Sequence, residues 1–195
     1  MRRTWIASLI GLAIATAAFA SPAQEHEAGL EAYRRGDVRN AISLLRKPAD
    51  AGHGPSQVLL GAILDMAEQN EEAVKYFRLA AEQGLAEGYY ALGAMHASGE
   101  GVTRDLGAAR QWMTRAAQAG HGQAVLAVAI AYVQGGLGIA ESERQSPEAL
   151  RWIERAAELD SVVAIDRLAL AFRQGQLGLA PDTKRAEELE ARSRS

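Results

Sequence analysis

Small and apolar residues recur along this chain in one five-position stripe. Ala109, Trp112, Met113, Ala116 and Ala117 stand at i, i+3, i+4, i+7 and i+8, which draws a single apolar face along a helix of 3.6 residues per turn. The stripe returns upstream as Ala73, Tyr76, Phe77, Ala80 and Ala81, and downstream as Ala149, Trp152, Ile153, Ala156 and Ala157. A weaker copy, Ala41, Leu44, Leu45, Pro48 and Ala49, opens the array. A decayed one closes it, keeping Ala186 and Leu189 but placing Glu190 and Ser193 where apolar residues belong. The lead alanines are 32, 36, 40 and 37 residues apart. A period of this size marks a repeat architecture.

Each stripe helix is preceded by a second amphipathic helix, so the repeating unit is a helical hairpin. In the central unit the first helix covers about 86–97, a glycine-rich connection follows at Ser98–Val102, Asp105 is placed to cap the second helix, and Gly120 to end it. Two further columns recur across the first helices. One holds small residues, Gly61, Gly93, Ala129 and Ala169, where the two helices of a hairpin are expected to approach closely. The other holds Tyr33, Leu64, His96, Tyr132 and Phe172, mostly three residues before a connecting glycine. Pro48 lies inside a stripe helix and is expected to kink it or end it early. No hairpin buries its own stripe, so neighbours must stack into a solenoid. The expected units are about 24–53, 54–85, 86–121, 122–160 and 161–195.

Composition changes the picture in three ways. Almost no β-branched runs and few prolines argue against sheets, giving an all-α class. The formal charge is −3, which leaves no basic surface for nucleic acid. There are no cysteines, so disulfides and thiol chemistry are excluded.

The N-terminus reads as an address. Arg2 and Arg3 precede an uncharged run from Trp5 to Ala20 that closes on Ala18-Phe19-Ala20, the layout of a secretory signal peptide over 1–20 with cleavage after Ala20. The run is shorter than the roughly 20 apolar residues of a membrane span, so no stable membrane insertion is expected after cleavage. Removing two of the 21 basic residues leaves 19 against 24 acidic ones. The mature domain, 24–195, is therefore expected to be acidic and periplasmic or secreted.

Candidate chemistry is sparse. Gly135-Gly136-Leu137-Gly138 and Gly175-Gln176-Leu177-Gly178 superficially resemble nucleotide loops, but a phosphate loop follows a strand and these follow helices. His53 and His121 occupy matching inter-hairpin turns two units apart, His96 falls in the aromatic column, and His26 lies in an expected frayed end. No pair has the spacing of a helical zinc motif, and neither a cofactor nor a metal is expected. No serine sits in a Gly-x-Ser-x-Gly elbow. Trp112 and Trp152 share a stripe position and read as core rather than as a stacking platform.

The run LGAMHASGEGVTRDLGAARQWMTRAAQAGH resembles the Sel-one-like repeat (SLR), a longer-looped relative of the tetratricopeptide repeat. The resemblance is carried by Leu92-Gly93, His96, Gly99, Gly101-Val102, Asp105, Ala109, Trp112, Ala116-Ala117 and Gly120, repeated by Tyr132, Gly135, Ala149, Trp152 and Ala156-Ala157, and by Phe172, Gly175, Leu177-Gly178 and Asp182. It departs from the pattern where Asp160 replaces the terminal glycine and where the first two connections are short. It implies an α/α solenoid, a right-handed superhelix of about five stacked hairpins. It also implies a non-enzymatic protein-interaction scaffold whose partner is a protein or peptide; separately, a monomer is the expected state, though the sequence does not fix it. On that reading the concave-face candidates are Gln57, Glu87, Tyr90, Gln123, Arg167 and Arg173. The alternatives are a β-lactamase-like or other cell-wall-associated enzyme, for which the chain lacks cysteines and a Ser-x-x-Lys constellation, and a peptidoglycan-proximal module.

Overall fold

The computed structural model describes residues 20–194, which form ten α-helices and one short 3-10 helix. The expected signal segment lies outside the described residues but for Ala20. The helices pair in chain order. The first hairpin is α1 (Pro22–Arg34) with α2 (Val38–Asp50), and the second is α3 (Gly54–Met66) with α4 (Asn70–Glu82). The third joins α5 (Ala86–Ser98) to α6 (Leu106–Gln118). The fourth joins α7 (Gly122–Gln134) to α8 (Pro147–Glu158) through a connection that holds the 3-10 helix Glu141–Gln145. The fifth is α9 (Val162–Gln174) with α10 (Thr183–Ser193).

Side-chain caps fix where the helices start. Ser21 forms a reciprocal capping box with Gln24. Asp37, Asp105, Ser146 and Asp182 each accept a backbone N–H from the first turn they open, a contact worth about 1 kcal/mol. Helix ends follow the left-handed turn chemistry read from the sequence. Gly99 and Gly120 have φ of 89° and 92°. Asp160, in the place of the terminal glycine, adopts φ 58°. Gly101 answers a second demand: a methyl group there would stand 2.5 Å from the backbone of Asn70, so the long third connection rests directly on the start of α4.

The small-residue column sets the separation within hairpins. A methyl group on Gly61 would lie 2.7 Å from the ring of Phe77, and one on Gly93 2.8 Å from Met113 Cγ. Gly29, which the sequence reading left out of the column, meets Leu45 Cγ at 2.5 Å in the same way. Three hairpins thus seat the third stripe residue of the second helix against a bare backbone patch on the first, which lets the helices close to packing distance.

That register corrects two expectations. Because Gly29 aligns with Gly61 and Gly93, the residue three positions on is Ala32, aligned with Leu64 and His96. Ala32 is fully buried, whereas Tyr33 is only half-buried and turns its hydroxyl toward Met66 Sδ at 3.4 Å. The connecting glycine was the wrong anchor, since Gly36 comes four residues after the column and Gly99 three. Pro48 does not end α2, which runs on to Asp50. It falls in the last turn, packs as a fully buried side chain, and its carbonyl accepts from His53 N at 2.9 Å.

The buried apolar residues form two clusters. One extends from Ala32 to Met95, the other from Met113 to Leu189. They meet inside the third hairpin, between α5 and α6.

Candidate interaction surface

Direct contacts between alternate helices link first helices, α1 to α3 and α7 to α9. Closer spacing of the first helices puts them on the inside of the solenoid's curve. Residues one, minus three and minus six positions from the small-residue column share the face that the hairpin leaves uncovered. Along that face stand Pro55, Val58 and Ala62; Glu87, Tyr90 and Ala94; Gln123, Leu126 and Ile130; and Val163, Asp166 and Leu170. Ile130 is 37% exposed and Leu170 42%. In the N-terminal part the face deepens into a groove of about 500 Å³ walled by His26, Leu30, Val58, Leu59, Ala62 and Leu85, with Glu87 at its rim. The surface is apolar along its middle with polar groups at intervals.

The six expected contact residues fare unequally. Glu87, Gln123 and Arg173 are exposed, and Arg173 is already engaged with Glu190 at 2.5 Å. Tyr90 is half-buried, its ring stacked on His121 at 4.3 Å between centroids. Arg167 is half-buried and donates to Gln176 Oε1 at 2.8 Å. Gln57 is a correction. It is 2% exposed, donates to the carbonyl of Ala49 at 3.0 Å and accepts from Gln83 at 2.7 Å, so its amide bonds the first two hairpins together and cannot face a partner. Val58, Leu126, Ile130 and Leu170 are apolar, so polarity and aromaticity do not single them out. Their spacing relative to Gly61, Gly93, Ala129 and Ala169 was the signal that could have found them.

Several polar constellations have identifiable structural work. His26 is not frayed. It lies in α1 with its ring 5.2 Å from that of His53, and both Nδ1 atoms are within bonding distance of Ser56 Oγ, at 3.1 and 2.8 Å. Burial, then the neighbouring His53 ring, holds the His26 imidazole below its ordinary pKa, against a smaller opposing pull from Glu27. A serine between two imidazoles invites a nucleophile reading, but Ser56 is fully buried and its hydroxyl is committed to the two rings. His121 caps α7 by accepting from Ala124 N at 3.2 Å. His96 packs in its column with a buried Nδ1 that has no partner. Burial first, and the Asp50 acceptor second, push the Tyr76 hydroxyl up to about 12. Trp152 is buried as expected. Trp112 is half-buried, stacked on Tyr89 at 5.8 Å and covered by Arg115 at 4.8 Å.

The long fourth connection is built on arginines. Arg110 donates to Tyr132 Oη at 2.8 Å and pairs with Glu143 at 2.8 Å. The Glu143 carboxyl is held low first by the N–H of Ala140 and then by Arg110. Arg144 donates to the carbonyls of Tyr132, at 3.2 Å, and Val133, supplying donors to the open end of α7. The glycines of this connection follow a helix and carry no phosphate-loop geometry. Among the described residues no three His, Asp or Glu side chains gather as a cation site, and no helix is long and apolar enough to cross a membrane.

Known proteins repeat this arrangement. A family model for the Sel1 repeat matches residues 59–85, 86–121, 123–161 and 162–189, more than half of the chain. The chain belongs to the Sel1 repeat family. Among solved structures, the c5321 protective antigen of uropathogenic Escherichia coli, which displays an SLR fold, superposes with a TM-score of 0.75 at 28% identity, covering 89% of this chain and 38% of the antigen. A Sel1 repeat protein from Oxalobacter formigenes gives 0.66 at 26% identity, covering 89% of this chain and 73% of its own. The rat DAP3-binding cell death enhancer 1 is 36% identical over 85 residues, which is 43% of this chain and 17% of that protein. The chain thus matches only about a sixth of the length of that curated relative. Sel1 repeats are as a rule non-catalytic scaffolds for protein interaction.

Proposed function

We propose that this protein is a non-enzymatic periplasmic scaffold whose inner face holds an apolar segment of a partner protein. The observation that carries the reading is the uncovered apolar line on the first helices, with Ile130 and Leu170 more than a third exposed where a monomer gains nothing by exposing them together. Polar groups at intervals, among them Glu87, Gln123 and Arg173, give such a face register and specificity. The signal-like N-terminus supports export. The non-catalytic part of the proposal is supported by the burial of Ser56 and by the structural employment of Tyr76, Arg110 and Glu143.

The test is affinity capture from a periplasmic extract with the purified protein and with Ile130→Glu and Leu170→Glu variants, alongside binding to isolated cell-wall sacculi. A discrete protein retained by the parent and lost by both variants is the expected result. Retention by sacculi with no discrete partner, or turnover of a cell-wall substrate, would replace the scaffold with one of the other two functions.

A further inference from the structure

Arg144 and Arg167 line one cavity of about 170 Å³, closed by Tyr132, Val133, Gln145 and Glu141 between α7, the 3-10 helix and α9. Both guanidinium groups are held, and both by uncharged oxygens. Arg144 uses Nε and Nη2 on the carbonyls of Tyr132 and Val133, and Arg167 uses Nη1 on Gln176 Oε1 at 2.8 Å. Neither pairs with a carboxylate among the described residues, and Glu141, the one acid lining the cavity, forms no ion pair there. This is out of keeping with the rest of the chain. Where two arginines line another pocket at least one is matched by an acid, as Arg110 is by Glu143, Arg185 by Glu188 and Arg192 by Asp160.

Two like charges in one half-enclosed cavity repel, and burial together with Arg144 lowers the proton affinity of Arg167. A fold gains nothing from that repulsion, whereas a site gains a fixed pair of cations before any ligand arrives. The N–H groups left over, Nη1 of Arg144 and Nε and Nη2 of Arg167, suit a planar acceptor with two oxygens. The facing Glu141 disfavours a doubly charged anion. Arg167 stands four residues after Val163 and three before Leu170 on α9, so the cavity borders the inner apolar face.

We propose that this cavity binds a single carboxylate group carried by a partner peptide, with Arg144 and Arg167 each donating to it. The proposal rests on the scaffold reading and names the partner's chemistry at one point of that face. The carboxylate has two possible sources, a chain terminus or an acidic side chain.

Three acetylated peptides decide the matter, titrated into the purified protein by calorimetry and by the arginine Nε–Hε resonances. One is apolar with a free C-terminus, one is the same peptide amidated, and one is amidated but carries an internal glutamate. The expected result is that one or both carboxylate peptides bind and shift the Arg144 and Arg167 signals while the carboxylate-free amide does not, the arm that binds naming the source. Arg167→Gln should weaken binding about tenfold, the loss expected for one charge-assisted hydrogen bond. Its melting temperature should be unchanged or raised, since it removes one of two like charges. Glu141→Gln should tighten binding. If neither carboxylate peptide shifts these signals, or Arg167→Gln binds as the parent does, the proposal is overturned. Its failure is separable from that of the scaffold: a partner still captured by Arg167→Gln and lost by Ile130→Glu leaves the inner face standing and removes only the cavity.

Discussion

From Ala32 to Met95 the core is made by large side chains seated on glycines: Leu45 on Gly29, Phe77 on Gly61. From Met113 to Leu189 the column turns to Ala129 and Ala169, and the connections lengthen. Arginines add bonds to that packing: Arg144 ends α7, Arg155 donates to Ala117 O at 3.1 Å, and Arg192 ties the last helix to Asp160 at 2.6 Å. The two clusters adjoin at Gly93 beneath Met113 and at the Tyr89–Trp112 stack. One repeat pattern thus accepts two solutions. Where a glycine lets the helices close, shape fixes the hairpin; across the fourth connection, Arg144 and Glu143 of the loop add their own bonds to α7 and α6.

Emptying one core should leave the other standing. Trp152 is 7% exposed in the C-terminal cluster, and Trp152→Ala should cost about 3–5 kcal/mol through lost burial and the cavity left behind. Hydrogen exchange should rise across α6–α10 while α2–α4 keep their protection. Equal loss of protection throughout would mean that the two clusters melt as one.

Next in size is a pair of small substitutions. At Gly61 an added methyl meets the ring of Phe77, which has little room to yield. At Gly93 it meets Met113, an unbranched chain that repacks. Overpacking costs about 1–3 kcal/mol, and alanine in a helix returns up to about 1 kcal/mol over glycine. Gly61→Ala should therefore lower the melting temperature and Gly93→Ala leave it nearly unchanged. The reverse order would show that the junction, not the N-terminal half, is the tightly fitted region.

How much of this was legible in the sequence follows from what each signal measures. The stripe, the hairpin pairing and the cap at Asp105 were readable because period and cap chemistry are local. The glycine column was readable at Gly61 and Gly93 and missed at Gly29, where the first connection shifts the count by one. The fate of Gln57 was not readable. Whether a glutamine on a first helix faces solvent or the neighbouring hairpin depends on a carbonyl and an amide that come from two other helices. His26 near Ser56, 30 residues on, was hidden for the same reason. The candidate face was half legible: polarity found Glu87 and Gln123, while the apolar members became visible only once the register was fixed.

A smaller effect separates two of the four non-glycine left-handed positions among the described residues. Glu68, φ 59°, closes a short N-terminal connection and makes no ion pair among the described residues. Asp160, φ 58°, carries Arg192. Glycine relieves backbone strain at either site by about 1 kcal/mol, so Glu68→Gly should be stabilising in thermal melts. Asp160→Gly should gain less, because it releases the Arg192 contact that docks α10. Equal gains would mean that this contact contributes nothing to the C-terminal cap.

The smallest expected effect is a pH dependence belonging to the first two hairpins alone. Ser56 has one hydroxyl hydrogen, so it donates to one of the two facing Nδ1 atoms and accepts from the other. Protonating the accepting imidazole leaves two N–H donors on one oxygen and a buried hydroxyl hydrogen without its acceptor. The groups facing the pair are Glu27 on α1, whose charge favours the protonated form, and Glu87 at the rim of the groove; Glu25 is already engaged by Lys47. Because the folded state holds His26 below its unfolded value of 6.5, the unfolded chain binds more protons as the pH falls through that value, and stability is lost in that direction. The loss begins near the unfolded value and levels off below the folded one. Between pH 7 and pH 5 the exchange protection of α1 and α3 should fall more than that of α8 and α9, and His26→Gln should flatten the difference. A profile that is the same in His26→Gln as in the parent would assign the acid sensitivity to carboxylates elsewhere and leave the histidine pair a passive tie.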